Sequence, residues 1–213
     1  MQRIIGWFRS GIAVVRRHRR AYLIINLVYY GIVLAAMVFV TAFPAIQQAL
    51  TDAVLISFSE EPLAAVVDAY ASGNVFKAAM LTFAVNLFLG AILVLLLPSL
   101  IIPFSGLLMG LIRAILWGLL LAPTTPELQM AMIPHSLCLL LEGQGYILTL
   151  LAAWTLGCAF VSPTSVGATT RLGGYLQGLK GAGWVMLLAA AVLAVAAVYE
   201  AVEVIHLVPL LSN

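Results

Sequence analysis

Five apolar runs, each close to the length that crosses a bilayer, constrain this chain more than anything else in it. They cover about 21–43, 76–97, 105–122, 135–161 and 181–207. Roughly 20 residues of α-helix, rising ~1.5 Å each, span the ~30 Å hydrocarbon core. No water reaches the backbone there, so a spanning run must satisfy its own N–H and C=O groups as a helix rather than an open strand. Only 8% of the residues are charged, against about 25% in soluble domains, which excludes a water-soluble fold. A chain that is 64% hydrophobic is not a disordered one either. The fold class is therefore all-α: a polytopic transmembrane helix bundle of about five spans. A basic segment at 1–20 precedes a single transmembrane domain at 21–213.

The charges orient the spans. Arg3, Arg9, Arg16, Arg17, Arg19 and Arg20 crowd the first 20 residues, with no acid among them. No short apolar segment with a small-residue cleavage site follows, so this is not read as a cleavable signal peptide. Ile4, Ile5, Phe8, Ile12 and Val15 recur at helical spacing. The segment is either an amphipathic helix in the headgroup layer, with Arg16, Arg17, Arg19 and Arg20 toward anionic lipid, or a plain topogenic cluster without an ordered helix. Short basic flanks face the cytoplasm. The N-terminus, 98–104 and 162–180 (with Arg171 and Lys180) then lie inside. Segments 45–75 and 123–134, with Asp52, Glu60, Glu61, Asp68 and Glu127, lie outside, as does the C-terminus. Lys77 alone runs against the trend, at a membrane boundary.

Three local features qualify the five-span scheme. Pro98-Ser-Leu-Ile-Ile-Pro103-Phe-Ser-Gly106 is an uncharged, apolar connection. It is either a broken or re-entrant piece or a tight apolar turn. Leu63, Val66, Val67 and Tyr70 follow Glu60-Glu61-Pro62 at helical spacing and predict a short helix; 164–179 has a weaker version of the same pattern. Cys138 and Cys158 fall in one predicted helix, roughly 30 Å of rise apart, so they cannot pair within it and read as small apolar fillers.

Ionisable groups inside a span are costly and need partners or water. The candidates are Asn86, Arg113, His135, Glu142, Gln144, Glu200, Glu203 and His206. Arg113, Glu142 and Glu200 fall roughly 10–13 Å below the outer boundary, which predicts that Arg113 pairs with one or both carboxylates. His135 and Glu142 are seven apart and share a helix face; Glu200, Glu203 and His206, three apart, read as a stripe. The cluster reads as a structural network, a proton or cation path, or a metal site. No metal is assigned, because His-Glu-x-x-His is absent and a single Glu203-x-x-His206 matches no established motif. Asn86 reads as an interhelical hydrogen-bonding residue. Gly106-x-x-x-Gly110 offers a close-packing face, within the protomer or toward a second copy or membrane-protein partner. No phosphate loop, dinucleotide fingerprint or G-x-S-x-G elbow occurs, so no cofactor and no catalytic residue is assigned. A net charge of +2 follows from topology and gives no reason to expect nucleic acid.

The stretch 83–201 resembles the stage II sporulation protein M family of integral membrane proteins. The echoes are Phe83-x-x-Asn86 with Gly90, Pro134-His135 opening a helix that carries a Glu and ends near Gly157, and Ala196-Ala-Val-Tyr-Glu200-Ala201. The family's Pro-His-Gly-x-x-Glu is altered: Ser136 replaces the glycine, Leu139 stands four after His135, and the carboxylate comes at Glu142, one turn deeper. The resemblance implies a prokaryotic, multi-pass inner-membrane protein. Its founding member looks like a scaffold in a peptidoglycan-degrading complex, and the family's buried His and Glu invite a transport reading. The expectation is a permease or channel-like protein, not an enzyme. Its pathway would involve His135, Glu142, Glu200, Glu203, His206, Arg113 and Asn86. A membrane scaffold recruiting partner proteins is the alternative, and a membrane metalloenzyme the third.

Overall fold

The computed structural model describes residues 2–60 and 63–211, with side chains from Gly6 to Leu210. The described residues form helices and turns with no strand. In chain order the helices are α1 (Gln2–Arg17), α2 (Arg19–Thr41), α3 (Pro44–Phe58), α4 (Ala64–Ala71), α5 (Val75–Ile101), α6 (Ser105–Leu121), α7 (Pro126–Val161) and α8 (Arg171–Leu210). Four of them, α2, α5, α7 and α8, are long and apolar enough to cross a membrane; α6 is a shorter apolar helix of 17 residues. The five apolar runs thus each become helix. The N-terminal segment is helical as well, although the side chains of Arg3, Ile4 and Ile5 lie outside the described residues.

Local chemistry sets the boundaries. Asn74, Thr125 and Thr170 each accept a backbone N–H of the first turn of α5, α7 and α8, replacing bonds that a helix start lacks. Pro126 sits in the first turn of α7, where its missing N–H costs nothing, and Glu127 follows it. Two expectations are corrected by these caps. Segment 123–134 is largely helical: α7 starts nine residues before His135, so Pro134 lies inside the helix instead of opening it. The pattern at 164–179 is not a separate helix but a 3₁₀ turn, Pro163–Val166, followed by the first turns of α8. Segment 45–75 folds as α3 and α4. The Glu61-Pro62 part of the predicted start signal lies outside the described residues, and α4 begins at Ala64.

The 98–106 connection is the tight apolar turn. Pro98 is inside α5, which runs on to Ile101, and α6 starts at Ser105. Phe104 takes φ 69°, a left-handed conformation that is costly for a bulky residue. Its ring fills the space beside Gly157, where an added Cβ would meet ring carbon Cε1 at 2.6 Å. The Gly106 N–H donates to Ser99 Oγ at 2.7 Å, which satisfies one orphan donor at the start of α6.

Helix α7 runs through the middle. Most of its apolar span is buried, while α2, α5 and α8 keep broad outer faces. Its main partner is α8. The small-residue face of α6, Gly106, Gly110, Ala114 and Gly118, is consumed inside the protomer against Leu95, Leu150 and Val33. Leu23, Leu27, Val38, Phe76, Ile101 and Leu172 are among many large apolar side chains facing outward. That surface suits lipid and would not suit water. At the arginine-rich end, α1 packs on α8 through Gly11, and Arg17 donates to Ser165 O at 2.7 Å. At the opposite end, α3 and α4 cap the bundle. Gln47 donates to the Leu120 and Ala122 carbonyls at 3.0 and 2.9 Å and accepts from Thr124, closing the last turn of α6.

Two stretches are π-helical: Val85–Leu96 in α5 and Glu203–Leu207 in α8. Such segments are rare and concentrate at functional sites. One contains Asn86 and Gly90, the other begins at Glu203.

Candidate functional site

The polar residues of α7 at 135, 138 and 142 lie three and four apart, so one helix face carries them. That face meets α8 at Glu200 and Glu203. His135 Nδ1 lies 2.9 Å from Glu203 Oε1, and Glu203 is only 1% exposed. Deeper in the bundle, Asn86 Nδ2 donates to Glu142 Oε1, and carboxylate oxygens of Glu142 and Glu200 lie within 4.8 Å of each other. Cys138 is buried between the two pairs. Its Sγ lies within 4.8 Å of donor atoms of His135 and Glu203, and equally of Glu142 and Glu200. Oε2 of Glu200 and Oε2 of Glu203 are buried without a hydrogen-bond partner.

This cluster borders two cavities. One, of about 520 Å³, is walled by Asn86, Arg113, Trp117, His135, Glu142 and Glu200. The other, of about 390 Å³, lies under α4 and reaches Tyr70 and Thr82. Both touch Phe58, Val85, Asn86 and Glu200, so α3 and α4 roof a space whose floor is acidic. Tyr70 Oη, in that roof, lies 3.0 Å from Thr82 Oγ1 of α5. Burial first, then the nearby Glu200 carboxylate, pushes the Tyr70 hydroxyl above its usual pKa.

Among the described residues, His135–Glu203 is the one contact at salt-bridge range between a basic and an acidic side chain. Arg113 does not pair with Glu142 or Glu200 as predicted. Its guanidinium lies 3.8 Å from the ring centre of Tyr146 and 4.7 Å from that of Trp117, and its Nε is buried without a partner. The reason is axial. Tyr146 follows Glu142 by one turn, about 6 Å deeper, and Arg113 meets α7 at that level. Aromatic faces offer a cation ~2 kcal/mol when desolvated, which keeps the guanidinium there while it shares the cavity wall with the carboxylates. His206 also fails to join the cluster; it is exposed. Three residues fall short of a full α-helical turn, and the π stretch from Glu203 to Leu207 falls shorter still, so a three-residue stripe turns off the face it starts on.

Cys138 was read as a filler, yet its spacing from His135 and Glu142 already placed it on their face. Gln144 faces away from the cluster and builds a second network. It accepts from Tyr22 Oη at 2.5 Å, and its Nε2 donates to Asn26 Oδ1 at 2.7 Å and Tyr30 Oη at 3.2 Å. The four-residue spacing of Tyr22, Asn26 and Tyr30 was the sequence signal for it. These bonds tie α2 to α7. At ~0.6 kcal/mol for each intramembrane bond, Gln144→Leu is expected to destabilise the protein by about 2 kcal/mol. Thermal unfolding in detergent checks this, and an unchanged midpoint would mean that the network carries no net stability.

Chemically, the cluster offers an imidazole, a thiol and three carboxyl groups, largely buried and bordered by the two cavities. Two adjacent carboxylates at low dielectric repel each other unless a proton or cation lies between them. The donor groups that could hold a metal are His135, Cys138 and Glu203, and Cys138, Glu142 and Glu200. Compared with protein-family models, curated proteins and solved structures, the chain shows no match, and the likeness to the stage II sporulation protein M family rests on its quoted motifs alone.

Proposed function

We propose that this chain is a prokaryotic inner-membrane permease or channel-like protein, related to the stage II sporulation protein M family. Its ion or substrate pathway runs through the roofed cavity to the Asn86, Glu142 and Glu200 floor. The single observation that carries the reading is that Glu142 and Glu200, with carboxylate oxygens within 4.8 Å of each other, both line the larger cavity, while Glu200 lines the smaller one as well. Intramembrane carboxylates are costly where they serve no passage or pairing, and here each retains access to space large enough for water or a small cation. The charge bias favours an arginine end in the cytoplasm, with Arg16, Arg17, Arg19 and Arg20 at anionic headgroups. The cavity, beneath the α3–α4 cap, then lies toward the outer side.

Proteoliposomes test the reading directly. Vesicles loaded with a pH-sensitive dye, and others loaded with a divalent-cation dye, report flux in one or both assays. Glu142→Gln and Glu200→Gln, each still eluting as a folded protein, are expected to lose most of that flux. Flux that survives both substitutions overturns the proposal. A wild-type protein that moves neither ion, yet retains a cell-envelope enzyme in a pull-down, supports the scaffold instead.

A further inference from the structure

We infer that the cluster is a binding site for a borderline-soft divalent cation of the zinc class. His135 Nδ1, Cys138 Sγ and Glu203 form one ligand group, and Cys138 Sγ, Glu142 and Glu200 form a second, deeper in the bundle. The inference rests on the permease reading only for the ion being cargo; binding stands on the donor atoms themselves.

The donor set selects the metal class. Magnesium and calcium take oxygen ligands, whereas imidazole, thiolate and carboxylate together suit zinc and its neighbours. Geometry agrees with this. Zinc bonds of about 2.0–2.3 Å place tetrahedral ligand atoms roughly 3.3–3.8 Å apart. The donor atoms of each group already lie within 4.8 Å of one another, so small rotamer changes close the site.

Two buried atoms support a cation ligand role. Glu203 is 1% exposed, and its Oε2 has no partner, nor has Oε2 of Glu200. A buried carboxylate oxygen without a donor is costly. A plain His135–Glu203 pair accounts for Oε1 and leaves both of these atoms, and the cysteine between them, unexplained. A divalent ion in the first group meets one thiolate and one carboxylate beside neutral imidazole, so the charges cancel. The Cys138 thiol proton leaves to solvent as the ion binds.

The supports expected around such ligands are present. Asn86 holds Glu142. Tyr199 Oη donates to the Pro134 carbonyl at 2.9 Å, tying the proline turn just ahead of His135 to α8. His135, Glu142 and Glu200 open onto the larger cavity, which provides entry. Because Cys138 belongs to both groups, an ion can exchange His135 and Glu203 for Glu142 and Glu200 while keeping its sulfur ligand. The exchanged ligands lie seven residues apart on α7 and three apart on α8, ~10 Å and ~5 Å along the helix axis.

Cobalt(II) added to the purified full-length protein in detergent is the probe. The expected result is one ion per chain, with visible bands of tetrahedral cobalt and a near-ultraviolet sulfur-to-cobalt band. Cys138→Ser removes the sulfur band, whereas Cys158→Ser leaves it. Glu203→Gln weakens binding, and Asn86→Ala, acting through Glu142, weakens it by about 10-fold. Should Cys138→Ser fail to fold, zinc competition against the wild-type sulfur band reads the same site. Absence of stoichiometric binding by folded wild-type protein overturns the inference, as does binding without a sulfur band. Stoichiometric binding without flux overturns the permease reading alone. Flux that needs Glu200 in a protein that binds no metal overturns this inference alone.

Discussion

Gly106→Val is expected to be the most damaging single substitution in the bundle. A Cβ at Gly106 would sit 2.0 Å from the Leu95 carbonyl oxygen and 2.7 Å from Ser99 Oγ. The first of these atoms is backbone and cannot rotate away. The helices α5 and α6 would have to separate, which would also break the Gly106 N–H bond to Ser99 and pull Phe104 from its place beside Gly157. Overpacking costs about 1–3 kcal/mol when side chains can adjust, and more when they cannot, so a loss of at least ~3 kcal/mol is expected. At roughly 2–4 °C for each kcal/mol in a chain of this size, the unfolding midpoint in detergent falls by about 6–12 °C. Gly31→Ala, at an open position with nothing within 4 Å, serves as the control and should change little. Equal midpoints for the two variants would show that the α5–α6 approach is not close in the folded protein.

His135→Ala comes next, with an expected loss of about 3–5 kcal/mol. The penalty falls on the partner: Glu203 is 1% exposed, and removing the imidazole would leave both of its carboxylate oxygens without a partner. Breaking a buried pair from one side costs far more than replacing both members with apolar groups. The double variant His135→Leu/Glu203→Met is therefore expected to recover most of the loss. A double-mutant cycle in detergent reads the coupling. If the double variant is as unstable as the two losses added together, the pair is not what stabilises this junction. The same variants separate stability from binding: the double variant should fold and yet lose the site at His135 and Glu203, so that any sulfur-to-cobalt band that remains comes from the Cys138, Glu142 and Glu200 group.

Much of the architecture was legible because lipid makes length and apolarity decisive. Each apolar run became helix, since a spanning backbone has no other way to satisfy itself. The boundaries were harder. Pro134 looked like a helix start, but Thr125, Pro126 and Glu127 supply a complete start signal upstream, and an internal proline removes only one bond. Around the site, spacing along single helices was informative and depth alone was not. His135 and Glu142 on one side and Glu200 and Glu203 on the other do come together. Arg113 shows the limit: a common depth says nothing about which way a side chain points, and its guanidinium settled on Tyr146. Cys138 shares the face of His135 and Glu142 by spacing, and its place within 4.8 Å of donor atoms of both pairs is a contact that spacing alone does not give. The π-helical stretches had no signature in a 3.6-residue pattern.

Those stretches act as a change of phase in a ruler. Along an α-helix each residue advances by a constant angle, so one face can be followed from end to end. A π stretch from Val85 to Leu96 shifts the zero of that count. The part of α5 beneath the cap and the part that turns into α6 are therefore read from different origins. A single continuous helix can in this way show Asn86 to the cavity at one level and Leu95 to the α6 glycines at another. In evolutionary terms, the residue pattern in such a helix is free to change on one side of the slip without re-aiming the other. A one-residue insertion or deletion inside the stretch would re-aim everything beyond it.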